Sequence, residues 1–152
     1  VVVVGMGSEY RRDDGAGPAV AVQVARRADG VADLGPIADP LDLLGLWDDA
    51  DLAVVVDAVH SGAEPGTVQL IEIGTGPDGG SHGEPSSVSS THGIGLAGVL
   101  RLARAVDRAP KRVVVVGIEG EDFGQGAGLS PAVVRAVPRA AYQVLQLIDG
   151  AR

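Results

Sequence analysis

Three stretches of the chain are apolar without alternation: residues 1–4, 52–56 and 112–116, all rich in valine. β-Branched runs of this kind, bounded by turn residues, predict strands covered on both faces, as in a parallel sheet. Each is followed by a turn and then by a candidate helix. The first predicted helix opens near Asp13-Asp14-Gly15, has Pro18 near its first turn and carries Val20 and Val24 before Asp29-Gly30. A second begins near Thr91 and spaces Leu96, Val99, Leu100, Ala103 and Val106 so that they form one stripe facing a sheet. In the last, Ser130 is a candidate cap, Pro131 suits the first helical position, and Val133, Val137, Ala140, Val144 and Leu147 make one apolar face up to Gly150.

Weaker elements lie between these. Residues 31–37 read as a short strand, 41–47 as a short helix, and 67–73, with Val68, Leu70, Ile71 and Ile73, as a strand at a sheet edge. Alternation of strand and helix predicts an α/β domain, a three-layer α/β/α sandwich around a mostly parallel, twisted sheet of about five strands. The whole of 1–152 reads as a single domain. Residues 74–91 break the pattern, being rich in Gly, Ser and Pro, and they predict a flexible loop.

Composition narrows the chemistry. The chain has 20 acidic and 12 basic residues, a formal net charge of −8, and its basic residues are scattered. A nucleic-acid binder that tracks phosphates needs the opposite balance. With no cysteine, disulfides, thiolate metal sites and cysteine nucleophiles are excluded, and any metal must be held by carboxylate, imidazole or backbone oxygen. No apolar run approaches the roughly 20 residues that span a bilayer. We therefore expect a cytoplasmic protein with no nucleic-acid or membrane partner. The chain opens directly on Val1, without Met or a signal-like segment, and we expect a few residues to precede it.

In open α/β sheets, ligands bind beyond the carboxyl ends of the strands. After the first valine run come Gly5-Met6-Gly7-Ser8 and then Asp13-Asp14-Gly15. A dinucleotide-binding loop would need a third glycine where Tyr10 stands, so a plain turn is the better reading. Asp57 ends the second valine run, where a carboxylate must be hydrated, hydrogen-bonded or bound to a cation. The alternatives are a turn former for Asp57 and helix-start acids for Asp13 and Asp14. His92 is the third candidate, and it matters only if the fold brings it to the same edge. His60 reads as a surface turn residue and His82 lies inside the flexible stretch. Glu119, Glu121 and Asp122 read as a solvated loop or an acidic rim. Ser8, Ser61 and Ser130 also lie near strand ends, but none sits in a nucleophile-elbow motif.

Taken in order, VVVVGMGSEYRRDDGAGPAVA, LAVVVDAVHSGAEPGTV, SSTHGIGLAGVLRLA, KRVVVVGIEG and GLSPAVVRAVPRAAYQVL resemble the hydrogenase maturation endopeptidases over nearly the whole chain. The resemblance implies an α/β/α domain and removal of a C-terminal extension from the large-subunit precursor of nickel-iron hydrogenase, after nickel insertion. It also implies a metal site of Asp14, Asp57 and His92, with Asp14 and Asp57 catalytic and no separate cofactor-binding residues. Nickel would be contributed by the precursor, whose soft thiolates complement two carboxylates and an imidazole. A monomer is expected. Three departures from the family pattern stand out: Asp14 where some members carry Glu, Ser8 where Asn is usual, and Ala38-Asp39-Pro40 in place of a Gly-Gly-Thr-like segment. A non-catalytic nickel-sensing chaperone for the same precursor and a nucleotide-binding enzyme are the competing readings.

Overall fold

The computed structural model describes residues 1–31, 35–73 and 95–151. Its four strands are β1 (Val2–Gly5), β2 (Leu52–Val59), β3 (Val68–Ile73) and β4 (Arg112–Glu119), and its helices are α1 (Ala16–Ala25), α2 (Leu43–Leu46), α3 (Leu96–Ala105) and α4 (Pro131–Ala151). The sheet runs β1-β2-β4-β3, with the first three parallel and β3 antiparallel against β4. An α/β fold with a mixed, mostly parallel sheet is thus present, with four strands among the described residues where about five were expected. Of the expected strand at 31–37, the described residues form a single parallel bridge, between Ile37 and Met6. Pro36 lacks the N–H that a longer ladder would use.

Side chains alternate across the sheet and divide the core in two. Val3, Val54, Val56, Val114, Val116 and Ile118 pack with α1 and α4, while Val4, Ala53, Val55, Val113 and Val115 pack with α2 and α3. This two-sided burial is why the valine runs lack a polar face. The runs also extend further than their apolar residues suggest. β2 continues through Asp57 to Val59 and β4 through to Glu119, because Asp57 pairs with Gly117 and Val59 with Glu119 in one unbroken parallel ladder. Asp57 therefore lies within a strand and does not follow one.

The helices agree with their stripes except at the ends. Val99, Leu100 and Ala103 are buried, but α3 stops at Ala105 and leaves Val106 half exposed. It starts at Leu96 after an extended Gly95, later than the expected start at Thr91. In α4, Ile148 takes the buried place expected of Leu147, and the helix runs through Gly150. The expected loop at 74–91 and both His82 and His92 lie outside the described residues. No described helix is long and apolar enough to cross a membrane.

Candidate active site

Because β1, β2 and β4 are parallel, their carboxyl ends share one edge, and three chain segments meet there. The chain leaves β1 through Met6, whose N–H donates to the Val56 carbonyl at 2.8 Å, and Gly7, whose N–H donates to the Ile37 carbonyl at 2.9 Å. It then folds back through a 3-10 turn, Arg12–Gly15, that lies against β2. This return brings Asp14 beside the start of its own loop. The Ser8 N–H donates to Asp14 Oδ2 at 2.8 Å, and Asp14 is 1% exposed. Gly7 has φ +125, and a Cβ there would overlap the Asp14 carbonyl oxygen. Gly7 thus makes room for Asp14, while Gly5 makes room for Gly17 and Pro18 at the start of α1. A carbonyl oxygen over Gly7 would repel a phosphate, which disfavours the nucleotide reading.

Asp57 is 8% exposed and lies in β2 two positions after Val55, on the side of the sheet that faces α2 and α3. Asp14 and Asp57 therefore reach the same sheet edge, one from the turn after β1 and one from β2. Among the described residues, no three His, Asp or Glu side chains gather as a metal-holding group. His92, the third expected ligand, lies outside those residues.

Two further carboxylates at this edge are buried, and composition alone hid them among acidic loop residues. Asp13, fully buried, accepts from the N–H groups of Glu121 (2.9 Å), Asp122 (3.1 Å) and Ser130 (2.7 Å) and from the Ser130 hydroxyl (2.9 Å). Its own N–H donates to the Asp122 carbonyl at 2.9 Å. The Ser130 hydroxyl expected to cap α4 is thus directed to Asp13. Glu119, 2% exposed, accepts from the N–H groups of Ser61 (2.8 Å) and Ala63 (2.9 Å) and from the Ser61 hydroxyl (2.8 Å). It was expected in a solvated loop or acidic rim, but it ends β4 and fastens the loop after β2. Glu121 and Asp122 are exposed. His60 is exposed too, edge-to-face with Phe123 at 5.9 Å between ring centroids. On the outer side of the 3-10 turn, open grooves of about 360 and 560 Å³ share Arg12, Gly128 and Leu129.

The chemistry of this edge is that of hard oxygen donors held out of bulk water, suited to a divalent cation or to moving a proton. Comparison with known proteins points the same way. The family model described as hydrogenase maturation protease (HycI) matches residues 30–147. The hydrogenase expression/formation protein HupD of Rhizobium leguminosarum bv. viciae is 29% identical over 147 residues, covering 94% of this chain and 70% of the relative. HupD of Bradyrhizobium diazoefficiens is 28% identical over 137 residues, covering 88% of this chain and 69% of the relative. Among solved structures, the hydrogenase maturating endopeptidase HybD from Escherichia coli superposes with a TM-score of 0.80 at 26% identity, covering 99% of this chain and 92% of that one. The family match begins after Asp14, but the structural match takes in nearly the whole chain. On these grounds the chain belongs to the hydrogenase maturation protease family.

Proposed function

We propose that this protein is a single-domain endopeptidase that removes the C-terminal extension of a nickel-iron hydrogenase large-subunit precursor once nickel has been inserted. The observation that carries the reading is the pair of buried carboxylates, Asp14 and Asp57, on the carboxyl edge of a fold shared with the family. Nickel in this reading belongs to the substrate. The precursor's thiolates hold it, and Asp14, Asp57 and His92 offer the harder oxygen and nitrogen donors that recognise it. The chemistry is hydrolysis: the oxygen of water bonds to the scissile carbonyl carbon, the C–N bond breaks, and the water proton passes to the leaving amine. Asp14 or Asp57 is the group that takes and returns that proton. Bringing the metal-loaded precursor to this edge makes the cut conditional on nickel, because the carboxylates have a cation to engage only then.

The test is incubation of the chain with nickel-loaded and metal-free precursor, read by mass spectrometry. Loss of the extension is expected from the loaded precursor alone, and Asp57→Asn is expected to slow it by at least about 100-fold, the scale of a lost acid–base group. Cleavage indifferent to nickel, or unimpaired in Asp57→Asn, overturns the reading. A stable complex with no mass loss supports the non-catalytic chaperone in its place.

A further inference from the structure

Asp13 is the one buried acid of the 3-10 turn that the proposed chemistry leaves unused, and its surroundings give it a role. We propose that Asp13 is a positioning residue that holds the neighbouring Asp14 carboxylate in place for the reaction; this rests on the function proposed above. Asp13 ties the turn to a distant part of the chain, while Asp14 points the other way, towards Ser8. Its two oxygens divide four donors between them. Oδ1 takes the Ser130 N–H, and Oδ2 takes the N–H groups of Glu121 and Asp122 and the Ser130 hydroxyl. Both branches accept hydrogen bonds, so an amide nitrogen on either one would face an N–H.

The rest of the turn is held to the same segment. The Arg12 N–H donates to the Gly126 carbonyl at 3.0 Å, and the Gly126 N–H donates to the Tyr10 carbonyl at 2.9 Å. Arg12 itself has φ +52, a left-handed backbone that a non-glycine residue keeps only when its surroundings impose it. A Cβ on Gly120 would come within 3.0 Å of the Asp13 Cβ, so the segment after β4 closes tightly over this side chain. Asp13 fastens the turn on one side, and the Ser8 N–H meets Asp14 on the other. The peptide between Asp13 and Asp14 has little freedom to move. Supporting hydrogen bonds of this sort set how well a reacting carboxylate is aimed.

The experiment compares Asp13→Asn, Ser130→Ala and Val144→Ala with the parent chain. Val144 is a buried α4 residue, so its truncation matches a loss of stability without touching the edge. Each is assayed for kcat and KM on nickel-loaded precursor, for melting temperature, and for hydrogen exchange at the Ser8 amide. Asp13→Asn is expected to lower kcat by on the order of 10–100-fold at unchanged KM. It should also speed exchange at Ser8, with Ser130→Ala showing smaller changes of the same sign and Val144→Ala neither. Wild-type kcat and wild-type Ser8 exchange in Asp13→Asn overturn the proposal, as does a loss no greater than that of Val144→Ala. If Asp13→Asn does not fold, Ser130→Ala decides by the same two readings. If the parent chain fails to cut the precursor, the proposed function fails, and Ser8 exchange alone still decides whether Asp13 holds Asp14.

Discussion

Asp13 and Asp14 are adjacent in the chain and have opposite fates. One turns to the segment after β4 and is saturated by donors; the other turns to Ser8 at the sheet edge. Glu119 resembles Asp13 in kind, since a buried carboxylate is tolerated when N–H and O–H groups replace its water. Glu119→Ala would strand the donors of Ser61 and Ala63, though both residues retain some access to water. We expect a loss of about 2–3 kcal/mol, within the range for hydrogen bonds to a charged acceptor, measured as a lower urea midpoint at unchanged slope. A change below about 0.5 kcal/mol would mean that water replaces the carboxylate fully. None of this was legible from residue type, because an acid after a strand looks the same whether it meets solvent or four donors.

At the scale of elements, periodicity identified the helix faces well and their ends poorly. Leu100 and Val106 both belong to the predicted stripe of α3, but Leu100 is 2% exposed and Val106 is 50% exposed. The reason is geometric: α3 ends at Ala105, so Val106 leaves the helical face. Leu100→Ala is expected to cost about 2–5 kcal/mol, the range for opening a cavity in a packed core. Val106→Ala is expected to cost less than about 0.5 kcal/mol. Chemical denaturation of the two variants separates them, and equal losses would contradict the assigned end of α3. The strands show the converse error. Their apolar runs stop at Val56 and Val116 while the strands reach Val59 and Glu119, because a ladder continues wherever its neighbour continues, whatever the polarity of a single residue.

Across the whole molecule, surface charge pairs fasten the amino-terminal end of β4 to its neighbours. The Lys111 ammonium lies 2.9 Å from Asp51 Oδ1, and Arg112 Nε lies 2.8 Å from Glu72 Oε1 on the antiparallel strand β3. The hydrogen bond from Lys111, followed by its charge, holds the Asp51 carboxyl below the ordinary value of 3.8. A carboxyl lowered in the folded state contributes its stability above the unfolded value and loses it as pH falls through the folded one. Both groups are fully exposed, so solvent and salt screen the pair. The expected result is that the Asp51 titration midpoint, followed by NMR, moves up towards the ordinary value in Lys111→Ala and in 1 M salt, about the level at which screening reaches contact distances. A midpoint that stays low in Lys111→Ala would assign the shift to another group.

The sequence by itself determined what depends on neighbours close along the chain. Valine runs covered on both faces, helical stripes and the order of motifs were enough to indicate an α/β protein of the maturation protease kind, with Asp14 and Asp57 near strand ends. Tertiary structure alone decided the strand order, the antiparallel direction of β3, the bridge from Ile37 to Met6, and the division of labour between Asp13 and Asp14. The reason is distance along the chain. The donors that saturate Asp13 lie 108 to 117 residues away, and those of Glu119 lie 56 to 58 residues away, so no local pattern records them.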